Sequence, residues 1–141
     1  MPPSDAELRD LLATSRTIAV VGHSDRPHRD SYRIARYLRD SGYQVYAVNP
    51  TLKEIDGEPV YPDLRSLPEP IDIVDVFRRA VFLPTVVDEA IAIRARAVWA
   101  QLGVSHPAAE ARARAAGLFV VSNRCILVER ERLGITTHGS V

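Results

Sequence analysis

The side chains with the clearest chemical potential gather near residue 22. An apolar, β-rich run, Thr17-Ile18-Ala19-Val20-Val21, ends in Gly22-His23-Ser24. A polar loop carrying Arg26 and Arg29 then leads to Ser31-Tyr32, where a helical pattern opens. Strand, glycine turn and helix start make the first unit of a nucleotide-binding α/β fold, and the free N–H groups and positive dipole end of such a helix suit a phosphate. Gly22 lets the backbone turn tightly and approach a ligand. Ser24 can bond a phosphate oxygen or its own backbone. Arg26 or Arg29 can meet a pyrophosphate with a two-pronged guanidinium. Ser31 is placed to cap the helix. His23 joins this set by position; nothing in the sequence gives its ring a chemical role. The loop reads Gly-His-Ser-Asp-Arg-Pro and not Gly-x-Gly-x-x-Gly, which argues against an ordinary NAD site.

Other chemistries find less support. Cys125 is the only cysteine, and His23, His28, His106 and His138 are scattered. No Cys/His cluster has zinc-ligand spacing, and no intrachain disulfide can form. Cys125 reads as a packed thiol, although it could in principle attack a thioester. No nucleophile, base and oxyanion donor stand in readable roles. The 18 basic and 18 acidic residues balance to zero net charge, which gives no support to nucleic-acid or membrane-surface binding. No apolar run approaches the roughly 20 residues of a membrane helix. The charged N-terminus lacks a signal-peptide core, so a cytoplasmic location is expected. Lys53 is the only lysine among 18 basic residues.

At 141 residues the chain has the size of one domain. Ser4 with Glu7 forms a capping box for a helix over residues 5–13. Strands are expected at 17–21, 44–48, 71–77, 97–100 and 118–122. Helices are expected at 31–41, 84–94 and 107–116, with a short one near 124–131. Residues 51–70, broken by Gly57, Pro59, Pro62, Pro68 and Pro70, read as a connection with a short helix at 64–67. Residues 1–133 make the domain, and 134–141 read as a disordered tail. Apolar strands alternating with helices predict an α/β fold: a single Rossmann-like, doubly wound parallel sheet of about five strands in the order 3-2-1-4-5, with helices on both faces.

Ligands of such sheets bind beyond the C-terminal strand ends. Those ends carry Gly22-His23-Ser24, Asn49-Pro50, Phe77-Arg78-Arg79, Gln101-Leu102-Gly103 and Ser122-Asn123-Arg124-Cys125. Here the chain resembles the small stand-alone CoA-binding domain proteins, relatives of the succinyl-CoA synthetase α-subunit N-terminal domain. The matching motifs are Ala19-Val20-Val21-Gly22-x-Ser24, Ser31-Tyr32-Arg33-Ile34-Ala35 and Val48-Asn49-Pro50. They continue with Asp72-Ile73-Val74-Asp75-Val76-Phe77-Arg78-Arg79, Val98-Trp99-x-Gln101-Leu102-Gly103-Val104 and Asn123-Arg124-Cys125, in order over residues 17–125. His23 stands where that family usually has a small or apolar residue.

The resemblance implies a Rossmann-like fold with CoA or an acyl-CoA as ligand. A Pro-x-x-Lys after strand two reaches the adenosine side of CoA in the synthetase relatives, which implies Pro50 and Lys53 near the 3′-phosphate. Arg78, directly beyond strand three, is the stronger cation candidate by position. Gln101 could bind the pantetheine amides. Tyr32, Asn49 and Phe77 join the set through the motifs and strand ends they occupy. Trp99 reads as core. The expectation is a CoA-binding protein without evident catalysis of its own, alone, self-associated or with a protein partner. Two alternatives stay open. An NAD(P)-linked enzyme would need an acidic residue ending strand two, where Asn49-Pro50 stands. An interaction module with a decayed nucleotide site would be favoured by exposure of the apolar segment 80–83.

Overall fold

The computed structural model describes residues 2–135. Its elements are α1 (Asp5–Thr14), β1 (Thr17–Val21), α2 (Asp30–Asp40), β2 (Gln44–Val48), β3 (Glu54–Ile55), β4 (Glu58–Tyr61) and β5 (Ile73–Val76), followed by α3 (Leu83–Ala92), β6 (Ala97–Ala100), α4 (Pro107–Ala115), β7 (Phe119–Val121) and α5 (Ile126–Arg132). Short 3-10 turns occupy Leu64–Ser66 and Ala80–Phe82. The seven strands run in the order β3-β4-β2-β1-β5-β6-β7. Every neighbouring pair is parallel except the β3–β4 hairpin. Residues 136–141, most of the expected tail, lie outside the described residues.

The expected five strands in the order 3-2-1-4-5 are thus corrected in number and in one placement. With β3 set aside, the six parallel strands follow the Rossmann order 3-2-1-4-5-6, but the third position belongs to β4. There Ala47 pairs with Val60 and Val48 with Tyr61. The run 71–77, expected beside strand two, lies on the other side of the sheet centre, where Val21 pairs with Val76. β4 is short, contains Pro59 and has one core-facing apolar residue, Val60. A proline-bearing strand of this kind reads as loop. The readable signal was Asp56-Gly57, a dipeptide suited to a tight hairpin; both residues have positive φ, 51° and 82°.

Strand alternation divides the core into two layers. Ile18 and Val20 face α1, α2 and α5, and pack with Leu8, Leu11, Leu12, Ile34 and Leu38. Ala19 and Val21 face α3 and α4, and pack with Leu83, Val87, Ala109 and Ala113. The Ser4–Glu7 capping box forms as read, with the Glu7 N–H donating to Ser4 Oγ at 3.1 Å and the Ser4 N–H to Glu7 Oε1 at 2.8 Å. Trp99 is fully buried, and its Nε1–H donates to the Arg124 carbonyl at 2.8 Å, so it belongs to the core.

Asp75 sits in the middle of this sheet, between Val20 of β1 and Trp99 of β6. It is fully buried, and neither carboxyl oxygen has a hydrogen-bond partner among the described residues. Burial pushes its pKa well above the ordinary carboxylate range. The folded state keeps the proton where the unfolded chain releases it. The contribution of this group is therefore full below about pH 4 and is lost as pH rises through the folded value. Asp75→Val is expected to raise stability at pH 7 by about 1–3 kcal/mol, because an unpaired buried polar group is removed. It should also flatten the decline in stability that the wild type shows as pH rises from about 4 to 7. Denaturant unfolding at pH 4 and pH 7 checks this; a variant less stable than the wild type at pH 7 would show that the carboxyl stabilises the fold.

Candidate functional site

The order of strands reverses between β1 and β5, and a cleft opens at the C-terminal ends of β1, β2, β5 and β6. It has two parts. The larger cavity, about 890 Å³, is lined by Gly22, Ser24, Arg26, Arg29, Ser31, Asn49, Phe77 and Gln101 from the expected set. The smaller, about 260 Å³, shares Gly22 and Asn49 and adds Pro50 and Arg78, with Val48, Leu64 and Val86 as apolar wall. His23, Tyr32 and Lys53 line neither cavity. Because β5 flanks β1 directly, Phe77-Arg78 stands beside the glycine turn and not across β2 from it.

Gly22 occupies the junction of the two cavities. Its φ is +88°, a region that side chains disfavour. Its N–H donates to the Val48 carbonyl at 2.8 Å, and the Phe77 N–H donates to the Val21 carbonyl at 2.9 Å. A Cβ at Gly22 would lie 3.0 Å from Arg78 Cγ and 3.3 Å from the carbonyl carbon of Phe77. The missing side chain is what lets the ends of β1 and β5 close on each other.

The helix start differs from the expected cap. Arg29, not Ser31, is the N-cap of α2, and its side chain makes no capping hydrogen bond among the described residues. The first-turn N–H groups are therefore left without a side-chain acceptor at the cavity wall. Ser31 lies one residue inside the helix, and its Oγ accepts from the Ser24 N–H at 2.9 Å. Ser24 Oγ accepts from the Arg26 N–H at 3.0 Å, so both hydroxyls brace the loop. Asp25 and Asp30 also line the cavity, and Asp30 is paired with Arg33.

The remaining candidates have assigned neighbours. Asn49 Nδ2 donates to the His23 carbonyl at 3.0 Å, and Asn49 Oδ1 accepts from the N–H and hydroxyl of Thr51 at 3.0 and 2.8 Å. Gln101 is buried, and its Oε1 accepts from the Ile126 N–H at 3.1 Å, at the start of α5. The Arg78 guanidinium lies 4.0 Å from the centre of the Phe82 ring, a cation–π arrangement. His23 is fully buried in the turn after Gly22; burial is the main cause holding its pKa below the ordinary imidazole value, with the Arg39 charge acting in the same direction. The Tyr32 hydroxyl donates to Asp56 in the β3–β4 turn. Lys53 is exposed just before β3. Cys125 is half-buried and precedes α5.

Thr51, Leu52, Leu102 and Val104 also line the larger cavity. Asn-Pro-Thr was the available signal for Thr51, since an Asn side chain commonly closes a turn on the backbone two residues on. Leu102 and Val104 follow a strand end already marked as polar, and nothing in their type singled them out. The apolar segment 80–83 makes no continuous exposed patch: Val81 is exposed, but Phe82 is half-buried with Arg78 over its ring, and Leu83 is buried. Among the described residues no cluster could hold a metal ion, and no helix is long and apolar enough to cross a membrane.

The CoA binding domain family model matches residues 16–131. The chain belongs to this family. It is 40% identical over 126 residues to the uncharacterized protein YneT of Bacillus subtilis, covering 89% of this chain and 93% of that protein. It is 35% identical over 80 residues to an ADP-forming acetate–CoA ligase of Archaeoglobus fulgidus, covering 57% of this chain but 12% of the ligase. A solved structure from Thermus thermophilus superposes with a TM-score of 0.89 at 42% identity, covering 93% of this chain and 99% of that one. A hypothetical protein from Pyrococcus horikoshii superposes with a TM-score of 0.91 at 37% identity, covering 94% and 96%. The match spans the cleft from β1 to α5, so the glycine turn lies within the family region. Gly22→Ala is expected to cost about 1–2 kcal/mol of stability from the positive φ alone, and more as Arg78 and Phe77 give way. Thermal unfolding reads the loss; a variant as stable as the wild type would mean that this contact is loose.

Proposed function

We propose that this chain binds CoA, or an acyl-CoA, in the cleft and performs no chemistry on it unaided. The observation that carries the reading is the cradle at Gly22: a side-chain-free turn, closed on Phe77, beside the uncapped start of α2. A pyrophosphate is the group such a cradle accepts. In this reading the adenosine end enters the smaller, apolar-walled cavity, and the pantetheine arm runs through the larger one past Phe77 and Gln101. Arg78, on the wall of the smaller cavity, and Lys53, on the exposed loop, supply positive charge for the 3′-phosphate. The NAD(P) alternative lacks a carboxylate at the end of β2, since Asn49 stands there with both amide atoms engaged.

Calorimetric titration with CoA, dephospho-CoA and NAD at one salt concentration tests the reading. CoA should bind, and dephospho-CoA about tenfold more weakly. A charge-assisted hydrogen bond is worth roughly 1.5–3 kcal/mol, exposure pulls it to the lower end, and about 1.4 kcal/mol is one decade. NAD should give no measurable heat. No binding of CoA, or NAD binding as tightly as CoA, would overturn the reading.

A further inference from the structure

His23 immediately follows the glycine of the cradle, yet its ring is fully buried and lines neither cavity. Its Nδ1 lies 2.8 Å from the carbonyl oxygen of Ser24. A carbonyl oxygen can only accept, so Nδ1 carries the proton. Nε2 is then the acceptor of the neutral ring, and it faces Nη1 of Arg39 at 3.4 Å, which can only donate. Both partners therefore select one neutral tautomer. Burial, the largest cause, and the Arg39 charge hold the ring's pKa below the ordinary imidazole value, against the opposing pull of the Ser24 hydrogen bond and the Asp56 charge. Tyr32 holds it edge-on, with ring centres 6.1 Å apart at 89°, and Tyr32 is in turn bonded to Asp56 of the β3–β4 turn. The ring is thus flanked by two side chains of α2, Tyr32 and Arg39, and Tyr32 is itself anchored to the hairpin.

The consequence falls on the turn. A turn that receives an anion must present N–H groups and hydroxyls, because a carbonyl oxygen aimed at a phosphate repels it. Two carbonyl groups, those of His23 and Ser24, lie directly after Gly22. The first is held by Asn49 Nδ2 at 3.0 Å, and the second faces the buried His23 ring. We propose that His23 is a positioning residue of the cradle: its Nδ1–H draws the Ser24 carbonyl away from the cleft, so that no carbonyl of the turn opposes an anionic ligand held at the uncapped start of α2. This rests on the reading that the cleft takes the pyrophosphate of CoA. His23 touches no ligand atom in this account; it acts through the Ser24 peptide. Asn49 performs the matching task on the preceding peptide.

The test is titration of the full chain with CoA at pH 7.5, using wild type, His23→Leu and His23→Asn, each checked by thermal unfolding. Leucine fills buried volume without a donor, and the dissociation constant should rise about tenfold. Asparagine can return an N–H close to the position of Nδ1, and should recover most of the loss. Leucine binding as tightly as wild type, or both variants weakened alike, would overturn the positioning role while leaving CoA binding intact. No binding by the wild type would instead remove the reading of the cleft, and this role with it. The wild type supplies a measurement that does not depend on how the variants fold. Imidazole ¹⁵N spectra should show His23 as the neutral Nδ1–H tautomer at pH 7.5. The Nε2–H tautomer there, or a charged ring, would overturn the proposal.

Discussion

The close approach of two strand ends, β1 at Gly22 and β5 at Phe77, is the constraint on which the cleft depends. Sheet hydrogen bonds bring the strands side by side, and the Phe77 N–H extends that ladder by one bond to Val21. Beyond it the β1 chain must turn towards α2 while the β5 chain turns towards α3. A positive φ at Gly22 makes the first turn possible, and the absence of a Cβ leaves room for the Phe77 backbone and the Arg78 stem. Both cavities meet at this residue, so the same packing event closes the sheet and shapes the place a ligand would occupy.

Around that point the polar groups are arranged to hold backbone, and few side chains are left free to do chemistry. Ser31 takes the Ser24 N–H, Ser24 takes the Arg26 N–H, Asn49 spans two turns and Gln101 holds the start of α5. Such bonds add little net stability individually, yet leaving their buried partners unmet would cost more. They stiffen the rim of a cleft that is otherwise open to solvent. Arg130 contributes in the same manner at the other end of α2, donating to the Tyr37 hydroxyl and Ser41 Oγ at 2.9 Å and so joining α5 to α2. Asp75 stands apart from this pattern as a buried carboxyl without a hydrogen bond among the described residues. It is tolerated because protonation removes its charge.

Where local pattern decides structure, the sequence was readable. The apolar run before Gly22, the capping box at Ser4, Pro107 at a helix start and the four-residue strand at Ala97 all appear at or within a residue or two of their expected places. What escaped was decided by tertiary contact. β4 is a strand because β2 offers an edge for Val60 and Tyr61 to join, not because Glu-Pro-Val-Tyr favours one. Missing it put the run at Ile73 on the outer side of β2, whereas it pairs with β1 on the other side of the sheet centre. Within the site, residue types pointed to the right strand ends, but not to what each side chain does there. Ser31 braces a loop instead of capping the helix, and the His23 ring turns inward, an orientation that nothing in its residue type announced. Such orientations depend on partners remote in sequence, Asn49 and Asp56 among them.

The central claim is that the turn after β1 and the start of α2 cradle a pyrophosphate. A crystal structure of the chain with CoA tests it most directly. The account predicts the pyrophosphate within hydrogen-bond distance of backbone N–H groups between Gly22 and the first turn of α2, with the adenosine end towards Arg78 and the pantetheine arm towards Gln101. A CoA molecule seated elsewhere, with this turn still open to solvent, would contradict it.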